Sequence, residues 1–99
     1  MSKYVYNPAV TTVNGTWTGY TMPIFGGICC QFYVKAASSN TTFDITVTDP
    51  NSVEVRKVTD VEQVFNDLTK WPVYGVYTLL IENVDRDDDF TVLMSVEEF

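Results

Sequence analysis

Apolar and polar residues alternate with a period of two along most of the chain, most regularly from residue 41 to 48. Phe43, Ile45 and Val47 are separated there by threonines and Asp44. Successive side chains of a strand point to opposite faces, so this pattern predicts a strand with one face in the core. A slip of one residue would bury Asp44, and the register is therefore well specified.

A second alternating segment runs from Ile28 to Ala36. One of its two faces is purely apolar, and we predict that this face packs in the core. Its members are Ile28, Cys30, Phe32 and Val34. Residues 21–27 contain Pro23 and a Gly-Gly pair, which predict a loop before the strand.

Two tight turns are predicted in the first half of the chain. Asn14-Gly15 lies between β-formers and predicts a hairpin over residues 10–20, with a partly extended loop as the alternative. Asp49-Pro50-Asn51-Ser52 is a turn sequence, because Pro50 presets φ and Asp49 can bond its own backbone. Residues 53–58 are the predicted return strand.

The C-terminal third, Trp71 to Val96, predicts a β-hairpin whose tip is the acidic segment Asp85–Asp89. The apolar positions of both strands again alternate, which places them on inward faces. These positions are Tyr77, Leu79 and Ile81 in the first strand, and Phe90, Val92, Met94 and Val96 in the second.

Residues 59–70 are the one ambiguous stretch. Val61, Phe65 and Leu68 follow a helical spacing, and the segment from Thr59 to Glu62 matches a capping box. These features predict a single short helix. A strand followed by a loop is the alternative, because the stretch is short and the rest of the chain is rich in β-formers.

The pattern as a whole gives seven or eight strands, with turns at the spacing of sandwiches and barrels. We therefore predict an all-β protein: one antiparallel β-sandwich of jelly-roll type over residues 1–99, with at most one short helix. Residues 1–9 are a candidate N-terminal arm, with Tyr4 and Tyr6 on one face. The arm could close the sheet as an edge strand or reach a neighbouring subunit.

The formal net charge of -7 narrows the range of expected binding partners. Nucleic acid and anionic membranes attract clustered lysine and arginine, so we expect neither as a partner. The chain lacks the roughly 20 apolar residues that span a bilayer. It also lacks an apolar N-terminal run, which predicts synthesis in a cytosol without a secretion signal. Cys29 and Cys30 are adjacent, and we expect both to be reduced thiols.

Few residues suggest catalytic chemistry. The chain contains no histidine, and its Gly26-Gly27 pair is not part of a phosphate-binding loop. We expect no enzymatic activity, no cofactor and no metal. The weak exception is the acidic tip, where Asp85, Asp87 and Asp89 could present oxygens to Ca²⁺. A solvated turn is the favoured interpretation of that tip.

Aromatic residues near strand ends and loops are candidates for an interface, because tryptophan and tyrosine are frequent binding residues. The candidates are Tyr4, Tyr6, Trp17, Tyr20, Trp71 and Tyr74. For Trp17 and Trp71, a position in the core is an equal alternative. Gly75-Val76-Tyr77 predicts a corner in which the phenol bonds back to the preceding segment.

The segment Tyr74–Asn83, its acidic turn and Phe90-Thr91-Val92 together resemble the end of small β-sandwich domains. Bacterial pre-peptidase C-terminal domains show this Gly-x-Tyr-x-Leu-x-Ile pattern. Small virion proteins of tailed bacteriophages look similar, including capsid decoration (cement) proteins. Pre-peptidase domains are normally appended to secreted enzymes, and this chain shows no signal peptide, so the phage resemblance is favoured.

The phage resemblance implies a structural protein that is made in the host cytoplasm and located in the virion. Its partner would be a capsid or other virion protein, or further copies of itself. A phage tail or adhesin component is an alternative. Another is a carbohydrate-binding module, which predicts that Trp17, Tyr20, Trp71 and Tyr74 line one exposed surface.

Overall fold

A computed structural model describes residues 3–99, and within them all regular structure is β-strand. The strands are β1 (Lys3–Tyr6), β2 (Ala9–Thr11), β3 (Trp17–Tyr20), β4 (Ile24–Ala36), β5 (Thr42–Thr48), β6 (Glu54–Glu62), β7 (Val64–Asp67), β8 (Trp71–Gly75), β9 (Thr78–Glu82) and β10 (Asp89–Glu98). No helix in this part of the chain is long and apolar enough to cross a membrane.

The strands form two antiparallel sheets. Strands β1, β2, β10, β4, β7 and β8 make the first sheet, and β3, β9, β5 and β6 make the second in that order. β1 and β2 pair with successive parts of β10, and β7 and β8 both pair with β4, so each couple forms one row. When β1 with β2, and β7 with β8, are each counted as one strand, the chain has eight strands, numbered 1 to 8 in chain order. In this numbering the strand orders of the two sheets are 1-8-3-6 and 2-7-4-5, which is the order of a jelly roll. The predicted fold class is confirmed.

Most connections in this fold pass from one sheet to the other, and the predicted hairpin over residues 10–20 is wrong for that reason. Its turn is present, since Asn14 and Gly15 have φ of 55° and 77° and Val13 is bridged to Thr16. The flanking strands then separate, because β2 pairs with β10 while β3 pairs with β9.

The predicted C-terminal hairpin is wrong for the same reason. β9 lies in the second sheet between β3 and β5, whereas β8 and β10 lie in the first. The acidic segment therefore connects the two sheets. The predicted inward faces are nevertheless confirmed, because the apolar side chains of β9 and β10 are buried.

The helix predicted within residues 59–70 is also wrong, and the strand-and-loop alternative is correct. β6 runs to Glu62 in the second sheet, and Gln63 then takes a φ of 58° and leads into β7 in the first. Asp60 within β6 also has a positive φ, of 56°. The kink at Asp60 interrupts the period of two, so Val58 and Val61 both face the core although they are three residues apart. From Val61 onward the alternation continues, and Leu68, which fitted the helical spacing, is exposed.

A β-bulge in β4 overturns part of its predicted inward face. Ser95 is opposite Gln31 and Val96 is opposite Cys29, which leaves Cys30 as the extra residue. The bulge reverses the alternation, so Cys29 is buried, while Ile28 and Cys30 are only half-buried. Phe32 and Val34 face the core as predicted. β4 also begins earlier than expected, with Ile24 already paired to Gly75.

The core lies between the two sheets and is built from the alternating positions of the long strands. Phe43 of β5 packs edge-to-face on Phe90 of β10, with ring centroids 4.9 Å apart, and so joins the sheets. The inward positions Ile45 and Val47 are buried as predicted. The predicted turn after β5 is also present, with Asp49 Oδ1 accepting hydrogen bonds from the N–H groups of Asn51 and Val53.

Both thiols are free, as expected. Burial raises the pKa of Cys29 to about 11, so this thiol stays protonated at neutral pH. Its position in the core is that of a small apolar side chain.

Candidate interaction surfaces at the two ends of the sandwich

The strands run along the long axis of the molecule and so define two ends. β4 has 13 residues, which span about 40 Å in an extended chain, and the longest dimension of the molecule is 39 Å. One end contains the connections after β2, β4, β6 and β9, and we call it the acidic end. The other contains the connections after β3, β5 and β8 together with Phe99, and we call it the apolar end.

The acidic end is organised by the segment Asp85–Asp89. The carboxylate of Asp87 accepts hydrogen bonds from the backbone N–H groups of Asn14, at 3.0 Å, and Gly15, at 2.7 Å. The N–H of Val84 donates to the Gly15 carbonyl at 3.2 Å. The β9–β10 connection therefore holds the β2–β3 turn in place from a distance of more than 70 residues along the chain.

Asp88 links a second loop, the β4–β5 connection, to the β9–β10 connection by hydrogen bonds. Its Oδ2 accepts hydrogen bonds from the Ser38 N–H at 2.8 Å and from the Thr41 hydroxyl at 3.3 Å. Its Oδ1 accepts from the Asp89 N–H at 2.9 Å. These donors favour the ionised carboxylate, the Ser38 N–H most strongly, and hold the pKa of Asp88 below its usual value.

The three calcium candidates do not converge. Asp85 accepts from the Thr42 N–H at 3.1 Å, Asp87 accepts from the 14–15 turn, and Asp89 accepts from the Thr11 hydroxyl at 2.7 Å. Across residues 3–99, no group of three or more acidic, cysteine or histidine side chains is arranged to hold a metal ion. The Asp85–Asp89 segment is a solvent-exposed connection, and its carboxylates accept hydrogen bonds from backbone N–H groups of neighbouring segments.

The apolar end has a different character, because large apolar side chains remain in contact with solvent. Phe25 and Phe99 are each 86% exposed, Tyr74 is 69%, Met22 is 68% and Tyr20 is 64% exposed. Val76 is also exposed. Tyr20 and Tyr74 belong to the predicted interface residues; Met22, Phe25, Val76 and Phe99 do not. In the sequence, each of these four is an apolar residue beside a Pro, a Gly or the end of the last strand. At such positions the alternation does not predict whether a side chain is buried.

Backbone contacts hold the segments of the apolar end together. Ile24 of β4 pairs with Gly75 of β8, and the Phe99 N–H donates to the Gly26 carbonyl at 3.0 Å. The Thr21 N–H donates to the Tyr77 carbonyl, and the Tyr77 N–H donates to the Thr21 hydroxyl, both at 2.9 Å. The exposed side chains are therefore carried by neighbouring segments.

The predicted tyrosine corner is present at this end. The Tyr74 N–H donates to Tyr77 Oη at 3.1 Å. Gly75 has a φ of 89°, and a Cβ there would lie 2.6 Å from Cγ of Pro50. The corner brings the β5–β6 turn against β8 and leaves the Tyr74 ring directed away from the core.

Tyr4, Tyr6 and Trp17 are half-buried and pack against the core where β1 and β3 lie side by side. Tyr4 Oη accepts the Met22 N–H at 3.0 Å. A Cβ on Gly19 would clash with the Trp17 ring and the Tyr6 hydroxyl, so these groups are closely packed. Burial raises the pKa of Tyr6. In the described residues, the predicted arm is thus the edge of the first sheet.

Trp71 is only 8% exposed. Its ring meets Tyr77 edge-to-face at 5.8 Å, and the guanidinium of Arg56 lies 4.7 Å from the ring centre. Arg56 Nε also bonds Asp67 at 3.1 Å. The surface of four exposed aromatics that a carbohydrate-binding module requires is therefore absent, because Trp71 belongs to the core. No pocket is found among residues 3–99.

Comparison with known proteins gives the fold but no family. No family model matches the chain, and no curated protein matches it. Among solved structures, the Drosophila NLP core, described for its pentamer formation and histone binding, is similar over 99% of this chain and 100% of that chain. The TM-score is 0.50 and the identity 10%. At this identity the similarity establishes a shared fold alone.

Viral capsid structures are also among the similar ones. A structure of the infectious bursal disease virus Gx strain matches 95% of this chain with a TM-score of 0.44 and 8% identity, and this chain spans 32% of the viral one. The VP2 subviral particle of the same virus gives a TM-score of 0.38 and 9% identity over 96% of this chain and 32% of that chain.

Proposed function

We propose that this chain is a non-enzymatic structural protein of a virion, which decorates or cements the capsid of a tailed bacteriophage through surface contacts. The observation that carries the proposal is the apolar end, where six large side chains remain exposed on a well-packed sandwich. Contiguous exposed apolar surface is typical of sites that bind other proteins.

The fold is compatible with this role. Jelly rolls recur in viral capsid proteins, although the same fold also serves lectins and enzymes. Pentamer formation is described for the Drosophila NLP core. A chain of 99 residues with this architecture suits a role that depends on contacts between proteins.

Cementing would follow from linkage. A protein that binds the assembled shell but not its separate subunits shifts the equilibrium towards the shell, by an amount that grows with its concentration relative to the dissociation constant. Tyr20 and Tyr74 are the predicted interface residues that the structure leaves exposed for such contacts. Tyr4, Tyr6, Trp17 and Trp71 would support that surface from within the fold.

Mass spectrometry of purified virions tests the proposal. We expect to find the protein in the particle, with a copy number in a simple ratio to the number of capsid subunits. A few copies that co-purify with tails would instead assign it to the tail or adhesin apparatus. Absence from purified particles, or specific binding on a glycan array, would contradict the proposal.

Substitution of the exposed tyrosines tests the surface. Tyr20→Ser combined with Tyr74→Ser should lower occupancy on the capsid and reduce the thermal stabilisation of the shell. Leu68→Ser is the matched control, because Leu68 is also 64% exposed but lies between β7 and β8, away from this end. Equal occupancy of the two variants would exclude the apolar end as the capsid contact.

A further inference from the structure

We propose that the apolar end is a two-fold contact surface for a second copy of this chain, so that the protein forms an end-to-end dimer. The surface consists of Tyr20, Met22, Phe25, Tyr74, Val76 and Phe99. This inference does not rest on the virion role. The two contacts would use the same surface, so a chain bound to a capsid through this end would be bound as a monomer.

The exposed apolar area lies at the upper end of what a monomer presents and approaches what a dimer contact buries. An aromatic side chain contributes about 150–250 Å² of contact area, and four aromatic side chains of this set are between 64% and 86% exposed. Together they present roughly 500 Å², to which Met22 and Val76 add. A soluble monomer rarely exposes more than a few hundred Å² of contiguous apolar surface. A standard interface buries about 800 Å² per partner.

The distribution of charge selects a second copy as the occupant. None of the six side chains is charged, whereas Asp85, Asp87, Asp88 and Asp89 lie at the opposite end. In an end-to-end dimer, the two acidic ends are separated by the length of both molecules, each 39 Å long. That is several times the Debye length of about 8 Å in physiological salt. A basic partner would instead be attracted to the acidic end.

Several charges near the apolar end have a neighbour of opposite sign or a backbone donor within the chain, and Glu98 is an exception. Glu54 lies 4.0 Å from the Lys57 ammonium, and Lys3 of β1 is directly opposite Glu97 of β10. The carboxylate of Asp49 accepts backbone hydrogen bonds in its own turn. Two copies can therefore approach through this end with little mutual repulsion, and one patch that is apolar throughout meets the self-complementarity that a two-fold contact requires.

Sedimentation equilibrium of the full chain, from low micromolar concentrations upward, tests the inference. We expect a concentration-dependent species of twice the 11.2 kDa chain mass. Phe25→Asp should raise the dissociation constant by roughly 100-fold or more, because a two-fold contact contains the substituted side chain twice. Tyr74→Asp, on a different strand, should have the same direction of effect.

Leu68→Asp is the control, since it adds the same charge at an equally exposed apolar position away from the patch. It should leave the dissociation constant unchanged. Circular dichroism should show wild-type folding for all three variants, because the replaced side chains are exposed. The inference is overturned by a monomer at every concentration, by a closed assembly of more than two chains, or by dimerisation that Phe25→Asp and Tyr74→Asp leave unaltered.

Discussion

The two ends of the sandwich connect the same strands, but they differ in what holds their loops. At the acidic end, carboxylates of the Asp85–Asp89 segment accept hydrogen bonds from two loops of the same chain and from the ends of β2 and β5. At the apolar end, backbone pairing and the hydroxyls of Tyr77 and Tyr4 hold the loops, and the large exposed side chains take no part. The polar groups of the acidic end are thus used within the molecule, while the apolar side chains of the other end remain exposed.

This difference shows that residue type is a poor guide to which side chains are left without partners in their own chain. A run of aspartates looks like a ligand site, yet here its oxygens are engaged by backbone N–H groups and hydroxyls of its own chain. An isolated Phe25 beside two glycines attracts no attention in the sequence, yet it is among the most exposed side chains in the structure.

Both ends depend on the shared core, and the largest effect is expected there. Val92 is completely buried in β10, which pairs with β4. Val92→Asp places an unpaired carboxylate between the sheets, and we expect no folded protein. Near-ultraviolet circular dichroism and thermal melting measure this. Thr91→Asp, at the exposed neighbouring position, should fold normally, and a wild-type melting temperature for Val92→Asp would contradict the assigned core.

The acidic end should be more sensitive to substitution than the apolar end. Asp88→Ala removes the acceptor of three hydrogen bonds, from Ser38, Thr41 and Asp89. At about 0.5–1.5 kcal/mol each, their loss should lower the free energy of unfolding by roughly 2–3 kcal/mol. At concentrations low enough for the protein to be monomeric, Phe25→Ser should change it by less than about 0.5 kcal/mol, because Phe25 is exposed. Urea denaturation measures both, and equal losses would remove the proposed contrast between the ends.

The pH dependence sharpens the same comparison. The pKa of Asp88 is lowered in the folded state, chiefly by the Ser38 N–H, and that of Asp44 is lowered chiefly by the Asn83 side chain. A lowered pKa means that the ionised carboxylate stabilises the folded state. The stabilisation is fully present above the unfolded pKa of about 3.9 and is lost as the pH falls through the lower folded pKa. The stability difference between wild type and Asp88→Ala should therefore shrink below about pH 4. Urea midpoints at neutral and acidic pH measure it, and a constant difference would exclude this linkage.

A smaller loss of stability than that of Asp88→Ala is expected at the tyrosine corner of the apolar end. Tyr77→Phe removes the hydroxyl that accepts the Tyr74 N–H. One such bond contributes about 1 kcal/mol, and the loss should appear as a small decrease in the urea midpoint. Tyr20→Phe is the control, because Tyr20 is mostly exposed. If both changes cost the same, the corner hydrogen bond does not stabilise the fold.

Local pattern was sufficient for much of the fold. Alternation identified the buried faces of β5, β9 and β10, and the turn residues from Asp49 to Ser52 are where they were predicted. The Gly75-x-Tyr77 pattern correctly indicated a corner hydrogen bond. Each of these features depends on residues within a few positions of one another.

Other features were wrong in the sequence analysis because they depend on distant partners. The Asn14-Gly15 turn does not encode that its two flanks join different sheets. The bulge at Cys30 arises where β4 pairs with β10, more than 60 residues away along the chain. The helical spacing at the end of β6 arises where irregular pairing with β5, around Asp44 and Asp60, shifts the alternation by one residue.

Local sequence pattern was enough to identify the core-facing side chains of β5, β9 and β10, the tight turns and the β-sandwich class. Alternation and turn chemistry are local properties of the backbone, and a sequence displays them directly. Strand pairing, the loops held by the aspartates and the apolar residues left exposed were established only by the folded chain. Those outcomes depend on contacts between segments far apart in the chain, such as Asp87 with Gly15 and Phe99 with Gly26.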